Sequence, residues 1–297
     1  MEQIILGAVS LGLLWATMTI GVFITYRILE IADLTVEGSI AMGAAIAAHY
    51  ISVGANPYLA TLLAILGGML AGLVTGLLHT RLKIPALLAG ILTMIGLYSI
   101  NLRIMGRANV SLLRLDTVYT VFENLGLSPN NAVILLGLLC VIAVVCILYW
   151  FFGTEIGCAI RATGDNPNMV RAQGINTDLM KILGLVISNG LVALSGALIA
   201  QSQSFADVQM GTGSIVIGLA SVIIGEVLFG KKNFFRRLIS LVLGAITYRI
   251  IIALVLKLGM PANDLKLFTA ITVAVALALP VFKSYLPPIK ASFKEVE

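Results

Sequence analysis

Nine apolar runs, at 4–28, 38–54, 57–79, 84–101, 131–152, 179–202, 213–229, 238–256 and 265–282, take up most of this 297-residue chain. A helix of about 20 apolar residues crosses the hydrocarbon core of a bilayer. Backbone in lipid must satisfy its own hydrogen bonds, so runs of this length fold as membrane helices. Composition agrees: 59% of the residues are hydrophobic and 11% charged, with a mean hydropathy of +1.04, whereas soluble domains carry about 25% charged residues. The expectation is an all-α polytopic membrane protein, one domain over 1–297. Its runs at 38–54, 84–101 and 213–229 are short and open to interruption.

The 19 basic and 14 acidic residues give a formal charge of +5. The basic residues gather between apolar runs, where they direct insertion and do not form a nucleic-acid surface. Arg27 is the first of them and follows the first run, which argues against a cleaved signal peptide and for an outside N-terminus. Arg81 and Lys83 follow run three, and Arg161, Arg171 and Lys181 follow run five. Lys231, Lys232, Arg236 and Arg237 follow run seven, and Lys283, Lys290 and Lys294 follow run nine. The connections "GANP" and "QSFADVQMGTG" hold neither Lys nor Arg. Loop 102–130 dissents, with Arg103, Arg107 and Arg114 against Asp116 and Glu123. The balance places the N-terminus outside and the C-terminus in the cytoplasm. Cys140, Cys146 and Cys158 match no metal-site spacing and read as packing residues.

The chain also repeats itself. "ADLTVEGSIAMG" (Ala32–Gly43) returns as "ADVQMGTGSIVIG" (Ala206–Gly218), and "RLKIPA" (Arg81–Ala86) returns as "KLGMPA" (Lys257–Ala262). The offset grows only from 174 to 176 along the chain. Five runs separate the copies, so they face opposite ways across the bilayer. The expected layout is two inverted four-helix halves, 1–125 and 179–297, around a central span and polar loop at 131–178. Inverted repeats with interrupted, Gly-rich segments are transporter architecture, with the path at the repeat interface.

The polar residues of the repeated motif, with one arginine inside an apolar run, are the candidate path. Asp33, Thr35, Glu37 and Ser39 in one motif, with Asp207, Gln209, Thr212 and Ser214 in the other, could line or gate it. They could equally cap the short helices, since Asp, Ser and Thr satisfy free N–H groups. Arg249 sits near mid-membrane, either as a path-side cation for an anionic or zwitterionic solute or as a buried arginine holding carbonyls or carboxylates. Glu226 lies nearer the inner end and is expected to pair with the lysines there. Gly68, Gly72 and Gly76 form overlapping GxxxG patterns that suit close packing within one subunit. His79 at the end of the same run reads as interfacial. His49 and His79 lie at opposite ends of different runs, so no nucleophile, base or metal set supports an intramembrane enzyme. An ion-coupled secondary carrier is a further alternative that inverted repeats allow.

One polar stretch, "IRATGDNPNMVRAQGIN" (Ile160–Asn176), is long and detailed for a connection between membrane spans. Asp165 or Asn166 can cap a helix there, Pro167 suits its first position and Gly174 its stop. Such a helix, following Arg161 and Gly164, would present Met169, Val170 and Gln173 to a partner groove, with Arg161 and Arg171 pairing to partner acids. A well-capped connector with no partner fits the same residues.

At these motifs the chain resembles a known family. "ADLTVEGS" is similar to a Asp-Leu-Ser-Val-Gly-Ser segment of ribose-type sugar permeases, and "CAIRATGDNPNMVRAQGIN" resembles the cytoplasmic loop of the branched-chain amino acid and ribose permease family of ABC importers. "ILEIADLTVEGS" together with "LHTRLKIPALLAGILTMIGLYSINLRIMG" looks closer to permeases of tryptophan-type importers in Gram-positive bacteria. Sugar permeases carry an additional span before the one matching run one, which makes a sugar substrate the poorer expectation. The resemblance implies a permease without its own ATP site, and no Walker-type Gly-rich loop followed by Lys-Ser/Thr is present. It further implies ATP and Mg on a separate cytoplasmic ATPase docked at the 160–176 stretch, a second copy of the chain, and an extracytoplasmic binding protein. The solute it implies is an amino acid, aromatic by the tryptophan-type resemblance alone, and the chain itself is expected to bind no cofactor or metal.

Overall fold

The computed structural model describes residues 2–257, 267–271, 274–275 and 278. Most of the ninth run (265–282) lies outside the described residues, as do the Met-Pro-Ala of the second "KLGMPA" and Lys283, Lys290 and Lys294.

The first run forms α1 (Glu2–Phe23), which continues through a π-helical turn at Ile24–Ile28. Next come α2 (Thr35–Ser52), α3 (Pro57–Thr80) and α4 (Ala86–Met105). A short strand β1 (Asn109–Ser111) and α5 (Thr120–Asn124) occupy the connection to α6 (Pro129–Gly153). The polar stretch folds as α7 (Glu155–Asp165) and α8 (Pro167–Ala172), followed by α9 (Thr177–Gln203). Strand β2 (Phe205–Asp207), α10 (Ser214–Phe229) and α11 (Phe234–Lys257) complete the labelled elements.

Among the described residues six helices are long and apolar enough to cross a membrane: α1 with its π turn, α3, α4, α6, α9 and α11. The short runs differ in kind. The run at 84–101 extends to Met105 and becomes one of the six. The run at 213–229 stays a helix of 16 residues. α2 is rich in Gly and Ala and is buried by protein along nearly its whole length, so it faces its neighbours and not lipid.

The helices fall into a centre and a rim. In α1 and α9, 67% of the most apolar stretch is buried, against 28% in α4. The rim helices α3, α4 and α6 turn large apolar side chains outward, among them Leu62, Leu70, Leu92, Ile142 and Trp150. Lipid is as apolar as these side chains, so what holds the centre together is close approach and hydrogen bonding. Gly68 and Gly72 of α3 lie against the carbonyls of Asn189 and Leu185 in α9, and Gly76 lies against Ile182. The GxxxG stripe therefore packs inside the subunit, and a Cβ at Gly68 or Gly72 would strike backbone.

The register of these contacts gives helix directions. Ser188 Oγ donates to the Gly21 carbonyl and Ser195 Oγ to the Leu14 carbonyl, both at 2.8 Å, so α1 and α9 run antiparallel. α3 packs along α9 and α11 packs along α1. β1 pairs antiparallel with β2, Val110 opposite Ala206, which brings the 102–130 connection to the same end of the bundle as 204–213. Arg27, α7, α8 and the α10–α11 connection gather at the other end, where Arg27 and Arg237 share Glu226 and a Cβ on Gly164 would strike Ile28.

Candidate functional site

The first repeated motif builds a buried polar knot at the start of α2. Asp33 Oδ1 accepts the Thr35 N–H at 2.9 Å, which turns the chain into the helix. Asn189, near the middle of α9, donates Nδ2–H to Asp33 Oδ2 at 2.8 Å and accepts the Ser39 hydroxyl on Oδ1 at 2.7 Å. The Thr35 and Thr75 hydroxyls meet at 2.7 Å, and Thr75 donates to Thr93 at 2.9 Å, tying α2 to α3 and α4. Asp33, Thr35 and Ser39 are buried in this network.

Glu37, one turn further on, points elsewhere. Its Oε1 accepts the N–H of Gly213 at 3.0 Å, joining the two motif copies directly. Gly213 has φ of +79°, a left-handed turn that favours glycine, just before α10 begins. Between the copies opens a cavity of about 490 Å³. Glu37, Gly38 and Ala41 form its α2 wall, Val208, Gln209 and Thr212 a second wall, and Met94, Ile95, Tyr98, Ser99 and Asn101 of α4 the third. Asn101 is fully buried, donates Nδ2–H to the Gly38 carbonyl at 3.2 Å, and leaves Oδ1 with no partner among the described residues.

The candidate path residues therefore divide. Glu37, Gln209 and Thr212 come together at the cavity, while Asp33, Thr35 and Ser39 belong to the knot behind it. Asp207 caps the Gln209 N–H at 2.7 Å from β2. Ser214 is buried with its hydroxyl unpartnered among the described residues. Arg249 lies outside the cavity, its guanidinium 4.1 Å from the centre of the Trp15 ring. Of the two expectations for it, a path-side cation or a buried arginine holding carbonyls or carboxylates, neither describes this contact: α1 offers it an aromatic face. The α4 residues and Asn189 were missed, although Asn101 and Asn189 each stand as an amide inside an apolar helix, a signal for interhelical hydrogen bonding.

Glu226 pairs with arginines and not with the expected lysines. Arg27 Nη2 lies 2.8 Å from Oε2 and Arg237 Nη2 lies 2.6 Å from Oε1, so the carboxylate links the end of α1 to α10 and the start of α11. Its side chain is 5% exposed, and at that burial an arginine fork matches the carboxylate better than a lysine point charge.

In the polar stretch Asn166, and not Asp165, is the cap: its Oδ1 accepts the Met169 N–H at 3.1 Å. Pro167 occupies the first turn of α8 and Gly174 closes it with φ of +82°. Met169 is 46% exposed and Gln173 is also exposed, but Val170 is fully buried and turns into the protein. Arg171 is engaged within the chain, donating Nε–H to Thr177 Oγ1 at 2.7 Å and lying 3.5 Å from Asp178. Arg161 lies over the Phe234 ring at 5.6 Å and donates to Cys158 Sγ. The outward face of α8 is therefore narrower than the sequence suggested, with Met169 at its centre. Gly164 lets α7 cross against the Ile28 carbonyl at the end of α1, where a Cβ would collide.

Residues 4–279 match the family described as branched-chain amino acid transport system / permease component. The chain belongs to this family. It is the permease subunit of an ABC transporter, a multi-pass membrane protein, and not the ATPase. A tyrosine transport system permease protein of Clostridioides difficile is 44% identical over 274 residues, covering 92% of this chain and 90% of the relative. An uncharacterised protein of Rickettsia prowazekii is 34% identical over 280 residues, 93% of this chain and 97% of the relative. An autoinducer 2 import system permease protein of Salmonella paratyphi B is 28% identical over 242 residues, 78% and 66% of the two chains. Among solved structures, an inward-facing ABC transporter of metal-chelate type superposes with a TM-score of 0.51 at 14% identity, covering 94% of this permease and 85% of that chain. At that identity the likeness is one of fold.

Proposed function

We propose that the permease imports an amino acid, aromatic in side chain, delivered by an extracytoplasmic binding protein and driven by a separate ATPase that docks on α8. The observation that carries the docking is the outward-facing Met169 on a capped helix whose base, α7, is seated on the end of α1. A push on α8 passes through the Gly164–Ile28 contact to α1, and from Leu29, packed on Gly184 of α9, to the knot behind the cavity. The 44% identical tyrosine permease supports an amino acid as cargo.

In this reading two copies of the chain form the membrane unit, each bringing one cavity. The halves 1–125 and 179–297 are inverted repeats; antiparallel α1 and α9, and the exchange of α3 onto α9 and α11 onto α1, support that symmetry. In the same reading the end bearing Arg27, Arg81, Arg161, Lys231, Lys232 and Arg237 faces the cytoplasm and the N-terminus lies outside, as the basic residues of the connections support.

Co-purification with the ATPase tests the docking. Met169→Glu inserts and folds as the wild type does but loses the ATPase, because a charge buried in a partner groove without a counter-ion costs several kcal/mol, roughly. Undiminished binding by this variant would show that α8 is not the docking element.

A further inference from the structure

We propose that Glu37 is a specificity-determining residue that receives the ammonium group of the transported solute in the cavity between α2, α4 and residues 208–213. The inference rests on the amino-acid reading above and adds the group that recognises the cargo. Glu37 is half-buried, and its Oε1 is engaged by the Gly213 N–H while Oε2 accepts nothing from the described residues. No Lys, Arg or His stands among the described residues lining the cavity. Asn101 lines the same cavity: its amide is anchored to the carbonyl of Gly38, the residue after Glu37, and its buried Oδ1 has no partner among the described residues.

A half-buried carboxylate in a cavity wall, with no cation among the described lining residues, calls for a donor with several hydrogens and a positive charge. A primary ammonium brings three N–H donors and that charge, which makes it a better match than a hydroxyl or a neutral amine. The remaining walls suit the rest of an amino acid. Met94, Ile95 and Tyr98 offer thioether, aliphatic and aromatic surface to an apolar or aromatic side chain, and Gln209 and Thr212 offer side-chain donors to its carboxylate. Glu37 remains open to the cavity, so the pairing is screened enough to release the solute, as transit requires.

Glu37→Gln isolates the charge, because the amide oxygen still accepts the Gly213 N–H. The experiment uses proteoliposomes containing the permease, its ATPase and its binding protein, with ATP-driven accumulation of labelled tyrosine as the readout. The expected result is a fall of about tenfold or more in Glu37→Gln, partial recovery in Glu37→Asp, and an unchanged thermal midpoint. Wild-type uptake retained in Glu37→Gln would overturn the inference while leaving the amino-acid reading intact. Loss of uptake accompanied by a lowered thermal midpoint in both variants would overturn it in favour of a structural tie to Gly213. Wild-type vesicles that accumulate no amino acid from a full panel would remove the reading on which it rests.

Discussion

In both copies of the repeated motif an aspartate turns the chain in the same way: Asp33 Oδ1 accepts the Thr35 N–H at 2.9 Å and Asp207 Oδ1 the Gln209 N–H at 2.7 Å. Beyond that turn the copies part. In the first, Thr35 and Ser39 are buried and bonded to Thr75 and Asn189 from neighbouring helices. In the second, Gln209 and Thr212 are exposed to the cavity, and the serine equivalent to Ser39, Ser214, is buried without a partner among the described residues. The second copy has one extra residue before its Gly-Ser-Ile and makes a left-handed turn at Gly213, on which Glu37 of the first copy closes. One sequence motif thus supplies an anchor in one half and a cavity wall in the other. A shared turn does not fix what its side chains do, because that depends on which helix faces them.

The sharpest way to break this comparison is at the anchor. Asn189→Leu strands the Asp33 carboxylate and the Ser39 hydroxyl in a buried site, at a cost of about 3 kcal/mol or more. A marked drop in thermal midpoint in detergent is the expected outcome, and a midpoint equal to the wild type would show that the knot does not hold α2 to α9. A paired substitution is next in size. Ser39→Ala removes a buried hydrogen bond and costs about 1 kcal/mol, leaving one acceptor bond of Asn189 unmade. Ser214→Ala removes a hydroxyl with no partner among the described residues and is neutral or slightly stabilising. Equal losses in the two melts would mean that the copies are energetically alike after all. The smallest effect on stability belongs to Gln209→Ala, within about 0.5 kcal/mol for an exposed side chain, yet uptake of the proposed amino-acid cargo into proteoliposomes falls. Full uptake in that variant would remove Gln209 from the cavity's function.

Much of the membrane architecture was legible in the runs themselves. The boundaries of α3, α6 and α9 lie within a few residues of 57–79, 131–152 and 179–202, since hydrocarbon thickness sets helix length and Asn56, Pro57, Pro129 and Asn176 mark the starts. The capped α8 was legible too, through Asn166, Pro167 and Gly174, because capping is a local property of backbone and side chain. The inward turn of Val170 was not, since the face of a six-residue helix is chosen by what lies beneath it.

The sequence by itself determined that the chain is a multi-pass membrane protein of helices, where polar residues interrupt its apolar runs, and that two distant segments share one motif. These follow from solvent transfer, helix length and self-similarity, all readable along the chain. Only the tertiary structure decided the partners. Glu226 met Arg27 across 199 positions, Arg249 met Trp15, and Glu37 reached Gly213 across 176. It also decided that α4 completes the cavity with Met94, Tyr98 and Asn101. The physical reason is that a lipid-facing and a cavity-facing apolar helix have the same composition, and only packing against neighbours distinguishes the two faces.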